Sequence, residues 1–302
     1  MMKAIEFHEY GGPDVLCLVE VAAPHVGPGE VRIKVRAAGV NPSDWKRREG
    51  QYREFEEVHF PAGLGVEGSG IVDEVGPGVT DVAIGDAVFG FGRNIMAEQA
   101  ILTHWAIKPD NVSFEVAAGL PVISDTAIRA LDQVGVEQGQ ALLVSGAAGG
   151  VGTAIVQLAR LRGITVIGTA SLRKHDYLRE LGAIPTTYGD GLEYRVRELA
   201  PSGVDAAIDV AGSGIIPELI RIVGDPTHVL SVADFSAKQY GAKFSHGPPV
   251  EPARLCAAMA GLCSSGSFTL RIDRAFPLDQ AKEAQEVSQS GGVTGKLVVR
   301  IG

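Results

Sequence analysis

The sequence predicts an α/β fold in which a β-rich domain accompanies a doubly wound parallel sheet. Up to about residue 115, runs of alternating polar and apolar residues are separated by Gly/Pro turns, a pattern typical of half-buried strands. From about residue 118, helical periods alternate with continuous apolar runs, which indicates a parallel sheet. The last stretch returns to strands. We therefore expect a discontinuous β-rich domain over 1–117 and 246–302, with the α/β domain inserted at 118–245.

The same periods predict the individual elements. In the β-rich part, strands are expected at 30–37, 69–75, 87–91 and 295–301, and helices at 252–262 and 278–288. In the inserted part, strands are expected at 141–146, 165–168, 204–210 and 227–232, and helices within 117–136 and at 153–162 and 174–181.

The composition is that of a folded protein, since 45% of the 302 residues are hydrophobic and 21% are charged. A formal net charge of −9 argues against nucleic-acid binding, which requires a basic face. Three cysteines are too few for a disulfide scaffold. No apolar signal core opens the sequence, and no stretch reaches the length of a membrane span. We expect a soluble cytoplasmic protein that binds neither nucleic acid nor a membrane.

A Gly-rich turn between a buried strand and a helix is the sharpest signal, in SGAAGGVGTAIVQLA at 145–159. Glycines let the backbone approach a pyrophosphate, and the free N–H groups at a helix start are donors for it. A bare Gly-rich match is weak, but the strand, the turn, the helix and a second βα unit are all present here. Ala148, Gly149, Gly150 and Val151 are therefore predicted to bind a dinucleotide, and a plain tight turn is the alternative.

The end of the next strand indicates which dinucleotide is bound. An NAD site places an acid about 20 residues on, where it accepts from the ribose 2′-OH. Here no acid occurs before Asp176, and Ser171, Arg173 and Lys174 offer a hydroxyl and two cations instead. That set suits a 2′-phosphate, so NADP(H) is favoured over NAD(H). A solvated charge pair that opens a helix is the alternative.

Seven segments carry further motifs: GPGEVRIKVRAAGVNPSDWKRREGQY (27–52), PAGLGVEGSGIVDEVGPGV (61–79), IGDAVFGF (84–91), DTAIRAL (125–131), SGAAGGVGTAIVQLA (145–159), GVDAAIDVAG (203–212) and GKLVVRI (295–301). In this order and spacing, they resemble the medium-chain dehydrogenase/reductase superfamily, specifically its zinc-independent NADPH:quinone oxidoreductase branch. The resemblance covers nearly the whole chain. It implies a GroES-like catalytic domain and a Rossmann domain that binds NADP(H).

Two positions depart from the zinc site of that superfamily. Its zinc-dependent alcohol dehydrogenases have Cys at the position of Asn41 and His at the position of Val66. Asparagine is a poor zinc ligand and valine has no donor atom. The four-cysteine lobe of those enzymes also has no counterpart in 82–94. We expect no metal.

The resemblance implies roles around the nicotinamide. Asn41 and Tyr52 match residues that line the pocket there: Asn41 would donate an amide hydrogen bond, and Tyr52 would bind the substrate oxygen and supply a proton. Tyr52 as a mere aromatic residue at the rim is the alternative. Asp44, in the same Asn-Pro-Ser-Asp segment, is a candidate catalytic residue, a helix cap, or both.

On the cofactor side, the resemblance places four residues. Thr126 would lie near the nicotinamide or the phosphates, Tyr188 beside the 2′-phosphate, and Val232 and Ala233 against the nicotinamide. The alternatives are that Thr126 belongs to a helix N-terminus and that Tyr188 is a packing residue.

The expected reaction is hydride transfer from NADPH to an acceptor that is already electrophilic, a quinone or an α,β-unsaturated carbonyl compound. Two other readings stay open. One is a catalytically idle NADPH-binding protein, crystallin-like or a sensor. The other is an enoyl-thioester reductase, in which Lys46, Arg47 and Arg48 would form a basic channel. The resemblance also implies a homodimer acting on a small-molecule electrophilic substrate.

Overall fold

The structure, a computed structural model, describes residues 1–54 and 56–302. It divides into two compact units, one formed by Met1–Val122 with Glu251–Gly302 and the other by Ile123–Val250. Each boundary lies five residues later in the chain than the sequence predicts.

Hydrogen bonds near both boundaries explain this difference. The N–H of Val122 donates to the Glu67 carboxylate at 2.7 Å, which fastens the segment before residue 123 to the first unit. The N–H of Val250 donates to Asp125 at 3.1 Å, which fastens the segment before residue 251 to the second unit. Neither bond joins residues that are neighbours in the chain, so local periodicity carries no trace of them.

The elements follow in chain order. The first unit begins with strands β1 (Met2–Phe7), β2 (Leu16–Val21), β3 (Val31–Val40), β4 (Ala62–Gly63), β5 (Glu67–Val75), β6 (Ala87–Arg93) and β7 (Gln99–Ile107), and with helices α1 (Pro42–Arg48) and α2 (Phe114–Ala118). Helix α3 (Leu120–Val134) precedes β8 (Ala141–Ser145), α4 (Gly150–Leu161), β9 (Thr165–Thr169), α5 (His175–Glu180), β10 (Ile184–Thr186), α6 (Leu192–Leu199), β11 (Ala206–Asp209), α7 (Ile216–Val223), β12 (Val229–Ser231) and β13 (Lys243–Phe244). The chain ends with α8 (Pro252–Ser264), β14 (Ile272–Pro277), α9 (Ala281–Ser290) and β15 (Lys296–Arg300). Within the part of the chain that the structure describes, no helix has the length and apolar character needed to cross a bilayer.

Strand β3 is central to the β-rich unit, and its alternating pattern is confirmed. Val31, Ile33 and Val35 are buried, whereas Lys34 and Arg36 are exposed. The strand pairs antiparallel with β5 and β15, and its first half also pairs with β7. Since β5, β6 and β7 pair in succession, the four strands close into a small barrel, the GroES-like fold.

The second unit holds a six-stranded sheet in which all pairings are parallel, as the strand–helix alternation predicts. The order is β10-β9-β8-β11-β12-β13, so the direction in which strands are added reverses between β8 and β11. Leu143, Ile167, Ala207 and Val229 on the four central strands are almost fully buried. This is the Rossmann arrangement, in which ligands bind at the carboxyl ends of the strands at the reversal point.

Two helices of this unit begin differently from the prediction. Helix α4 starts at Gly150, three residues early, because Gly149 takes the extended N-cap conformation and the next three residues enter the first turn. The helix expected at 174–181 starts instead as a 3-10 turn, Leu172–Lys174, followed by α5.

Candidate functional site

The Gly-rich turn follows β8 at the reversal point of the parallel sheet. Gly146 has a φ of +77°, a conformation that favours glycine. A Cβ at Gly152 would lie 2.5 Å from the Gly146 oxygen and 2.6 Å from the Ala147 backbone, so that position admits only glycine. The N–H of Gly146 donates to Thr169 Oγ1 at 3.2 Å, which ties the turn to the end of β9. The turn is thus packed closely against the first turn of α4 and against the end of β9.

Its outer side leaves donors available. The first intrahelical bond of α4 runs from the Thr153 N–H to the Gly149 oxygen at 2.7 Å. Among the described residues, no acceptor is bonded to the N–H of Gly150 or Val151. These donors open a helix of twelve residues, whose dipole adds a partial positive charge. Together with the backbone of Ala148, they form a place that fits a pyrophosphate.

The loop after β9 carries the residues predicted to bind a 2′-phosphate. Ser171 is the N-cap of the 3-10 turn that contains Arg173 and Lys174. Arg173 is exposed, and it has no ion pair or hydrogen bond with any residue in 1–54 or 56–302. Asp176, the first acid, is exposed and paired with Arg179 at 2.6 Å. No carboxylate therefore occupies the loop where an acid would bind a ribose 2′-OH.

Tyr188 follows β10 and lies next to that loop, because the Ala170 N–H donates to the Thr186 oxygen at 3.0 Å. It is 62% exposed, so the packing alternative is wrong. The Arg195 guanidinium on α6 donates to the carbonyl oxygens of Thr187 (2.9 Å), Gly189 (3.0 Å) and Asp190 (2.7 Å), so it holds the loop that carries Tyr188. Sequence reasoning missed Arg195, because an arginine at helical spacing looks like any solvated surface residue.

Val232 and Ala233 follow β12, and a buried pair of side chains holds the backbone there. Ser231 Oγ donates to Asp209 at 2.8 Å and accepts from the N–H of Ala233 at 3.1 Å. Thr126, the seventh residue of α3, lies well inside that helix, so the N-terminal alternative is wrong. No hydrogen bond between described residues links Thr126 to the turn or to Val232. Its place beside the nicotinamide stays a prediction.

In the first unit, Asn41 belongs to a buried polar network. Its Nδ2 donates to Glu67 Oε1 at 2.8 Å, and its Oδ1 accepts from Lys296 Nζ at 2.5 Å. Lys296 also pairs with Glu67 at 2.8 Å, and all three side chains are buried. One of the two N–H donors of Asn41 and its oxygen are thus engaged between β5 and β15. That Asn41 donates to the acceptor or to the nicotinamide side stays a prediction.

Asp44 is the helix cap that the sequence left open as one of its roles, and its catalytic role stays a prediction. Its Oδ2 accepts from the N–H of Asn41 at 2.8 Å, which caps α1. It is almost fully buried, and this desolvation raises its pKa to about 7, against the opposing effects of the Asn41 N–H and of Lys296. Such a carboxyl exchanges a proton near neutral pH.

Tyr52 and Asp44 line one cavity of about 280 Å³ in the first unit, together with Arg47, Glu56 and Asn94. Desolvation, and then the nearby Asp44 and Glu56, raise the pKa of the Tyr52 phenol. The phenol therefore keeps its proton at neutral pH and can donate it. Asn41 is not among the residues that line this cavity.

Glu67 and Lys296 are the residues of this network that sequence reasoning missed. A signal for them exists, since each is a charged residue inside an otherwise apolar or Gly-rich strand, in LGVEGSG and GKLVV. A buried charge is unfavourable unless it is paired, so two such residues in different strands are candidates for each other.

The proposed basic channel is not formed by its three residues. Arg48 is fully buried, and its guanidinium donates to the Gly11 oxygen at 3.1 Å. Arg47 is paired with Glu56 at 2.7 Å, and Lys46 lies over the Trp45 ring. Because Arg48 faces no solvent and Arg47 is neutralised, a channel for a phosphorylated carrier is absent from this part of the described chain.

The positions that bind zinc in related enzymes do not fit a metal ion here. Val66 has no donor atom, and the amide oxygen of Asn41 already accepts from the ammonium of Lys296, whose charge would repel a cation. In the described ranges 1–54 and 56–302, no three His, Cys, Asp or Glu side chains form a group that could hold a metal. We derive no reaction step through a metal.

Two family models match the chain: the alcohol dehydrogenase GroES-like domain over residues 27–104 and the zinc-binding dehydrogenase over residues 187–299. The 2-methylene-furan-3-one reductase of Solanum lycopersicum is 31% identical over 99% of this chain and 79% of its own length. The quinone oxidoreductase-like protein 2 of Mus musculus is 32% identical over 95% and 89%. Against the synaptic vesicle membrane protein VAT-1 homologues of Danio rerio and Rattus norvegicus, the chain spans about half of the relative's length, 45% and 54%.

Solved structures agree over the whole chain. The quinone oxidoreductase from Coxiella burnetii has a TM-score of 0.84 at 33% identity and covers 100% of this chain and 99% of its own. Mycobacterial Rv1454c complexed with NADPH has a TM-score of 0.87 at 29% identity and covers 99% and 100%. Fold and comparisons together define a protein built from a GroES-like unit and a Rossmann unit. The chain belongs to the quinone oxidoreductase-like family of the medium-chain dehydrogenase/reductase superfamily.

Proposed function

We propose that this protein is an NADPH-dependent reductase that transfers a hydride to a quinone or an α,β-unsaturated carbonyl compound without a metal. The observation that carries the proposal is the cavity of about 280 Å³ in which the Tyr52 phenol and the buried Asp44 carboxyl lie together. A quinone oxidoreductase and an enone reductase among the relatives support the acceptor class.

The second unit supplies the residues that would hold the cofactor. The N–H groups at the start of α4 would bind the pyrophosphate, and Ser171, Arg173, Lys174 and Tyr188 would surround the 2′-phosphate. The solved structure of Rv1454c with NADPH supports this choice. When bound, NADPH supplies the hydride, which is the part of the chemistry that no side chain can provide.

In the first unit, Tyr52 and Asp44 would manage charge and proton. Hydride addition to a conjugated acceptor leaves negative charge on its oxygen, and a hydrogen-bond donor stabilises that charge as it develops. The Tyr52 O–H is such a donor and can pass its proton to the oxygen. Asp44 has a pKa of about 7 and lies close enough to raise the pKa of Tyr52, so it can return a proton to the phenolate.

The test is loss of NADPH absorbance with a benzoquinone and with a small enal. Turnover with either acceptor is expected, and Tyr52→Phe should lower kcat about a hundredfold while the Kd for NADPH is unchanged. Tyr194→Phe is the matched control, because Tyr194 is an exposed tyrosine of α6 outside both sites. An unchanged kcat in Tyr52→Phe with both acceptors would remove Tyr52 from the reaction. Tight NADPH binding without turnover on a broad panel of acceptors would instead favour the idle NADPH-binding protein.

A further inference from the structure

Asn94 stands in an unusual place, in the turn directly after β6. Its φ is +54°, in the left-handed region that residues other than glycine rarely adopt. The backbone is held there from the following side: the Ile95 N–H donates to the Gly65 oxygen at 3.1 Å, and the Met96 N–H donates to the Leu64 oxygen at 2.9 Å. The conformation is therefore imposed by the surrounding strands, and glycine would adopt it with less strain.

The side chain of Asn94 is exposed. Asparagine tolerates the left-handed region largely because its amide can hydrogen-bond locally. Neither the oxygen nor the nitrogen of the Asn94 amide, however, bonds to any residue that the structure describes. No hydrogen bond within the described part of the chain therefore accounts for an amide at this position.

The amide nevertheless has a defined place. A Cβ added at Gly63 would come within 2.6 Å of both Cγ and Oδ1 of Asn94, so the side chain lies directly against the Gly63 backbone. Any larger residue at 63 would displace it. The absence of a side chain at Gly63 is what leaves room for the Asn94 amide beside the cavity.

Asn94 lines the same cavity as Tyr52 and Asp44. Asn41, the amide that the sequence favours as a donor, is bound to Glu67 and Lys296 and does not line it. Of the two asparagines, Asn94 is the one that lines the cavity where the acceptor is proposed to bind, and its amide has no hydrogen bond with a described residue.

We infer that Asn94 is an acceptor-binding residue, whose Nδ2 donates a hydrogen bond to the carbonyl oxygen of the quinone or enone. This rests on the proposed function and adds to it. The amide gives no proton away: it stabilises the negative charge that appears on the oxygen when the acceptor carbon gains a hydride, and the proton that completes the reduction comes from the Tyr52 O–H. The cavity thus offers one donor that transfers a proton and one that does not.

The decisive variant is Asn94→Gly, because glycine keeps the left-handed backbone and removes only the amide. We expect kcat/KM for the acceptor to fall about tenfold, equivalent to about 1.4 kcal/mol, with an unchanged Kd for NADPH. The Tm of Asn94→Gly should equal or exceed that of the wild type, since backbone strain is relieved. Asn94→Asp should lose more activity, because a carboxylate offers no donor and repels the developing charge.

Asn111→Gly is the control, since Asn111 is an asparagine outside the cavity whose amide donates to the Ser264 oxygen at 2.9 Å. It is expected to retain the wild-type kcat/KM. A wild-type kcat/KM in Asn94→Gly with both acceptors would overturn the assignment of Asn94 alone. Absence of turnover in the wild-type chain with every acceptor would overturn the proposed function and, with it, this assignment.

Discussion

The carboxyl group of Asp44 is almost fully buried, whereas most aspartate side chains are solvated. Desolvation raises the pKa of Asp44 to about 7, and the Asn41 N–H and the Lys296 ammonium keep it from rising further. A carboxyl with this pKa is partly protonated at neutral pH, whereas an aspartate of ordinary pKa is almost wholly ionised there. The burial that accompanies the capping of α1 therefore suits the group to the acid–base role proposed for it.

The raised pKa of Asp44 predicts a specific pH dependence of stability. The group has an ordinary pKa of 3.8 when unfolded and about 7 when folded, so between these values the folded state binds the proton more tightly. Its contribution to the free energy of unfolding is fully present below 3.8 and is lost as pH rises towards about 7. Thermal unfolding at about pH 5 and about pH 8 should show a larger fall in Tm for the wild type than for Asp44→Asn. Parallel changes in the two proteins would contradict the raised pKa.

Helix α6 organises the loop that carries Tyr188. That loop contains Gly189 and Gly191, both with positive φ, and would be free to move without a partner. The Arg195 guanidinium binds carbonyl oxygens along it, and a planar fork of donors suits several acceptors at once. Arg195 therefore contributes three hydrogen bonds to the loop, beside the backbone bond from the Leu192 N–H to the Gly189 oxygen.

Arg195→Ala should weaken NADPH binding more than NADH binding, because only NADPH has the phosphate that Tyr188 would contact. We expect the Kd for NADPH to rise about tenfold and the Kd for NADH to change less than about twofold, both measured by calorimetry. Arg197→Ala, on the same helix, removes only an exposed pair with Glu193 and should leave both constants unchanged. Equal weakening of both dinucleotides by Arg195→Ala would show that the variant disturbs the unit rather than the phosphate site.

At the scale of the whole molecule, the two units carry different sets of candidate functional residues. The Rossmann unit carries the backbone donors and cations proposed to bind the dinucleotide, and the GroES-like unit carries the phenol, the buried carboxyl and the amide proposed to act on the acceptor. Each set is held by contacts within its own unit. The homodimer expected from the family resemblance stays a prediction, which sedimentation velocity would test.

NADPH should stabilise the folded chain measurably. A ligand that binds only the folded state adds about 2.7 kcal/mol at a hundred times its Kd, so Tm should rise by about 4 °C in a chain of this length. NADH at the same concentration should give a smaller rise, and Arg173→Ala should bring the NADPH effect towards that of NADH. Equal shifts with the two dinucleotides in the wild type would contradict the 2′-phosphate site, and no shift with either would contradict the dinucleotide site.

Local sequence patterns predict the fold and the dinucleotide-binding part of the candidate site. The alternation around Ile33, the apolar run that forms β8 and the turn from Gly146 to Gly152 involve residues close in the chain, whose period and size already constrain the backbone. The cations at Arg173 and Lys174 were equally visible, because they follow a strand at the edge where such sheets bind ligands.

Only the tertiary structure decided which polar groups are engaged and which are available. Asn41 meets Lys296 across 255 residues of chain, and Glu67 caps α3 at a residue 55 positions away. Local periodicity does not show these hydrogen bonds, so the sequence gives no sign that Asn41 is bonded to Glu67 and Lys296 or that Asn94 lines the cavity. Spacing along a chain determines secondary structure, but hydrogen-bond partners and desolvation depend on which distant segments pack together.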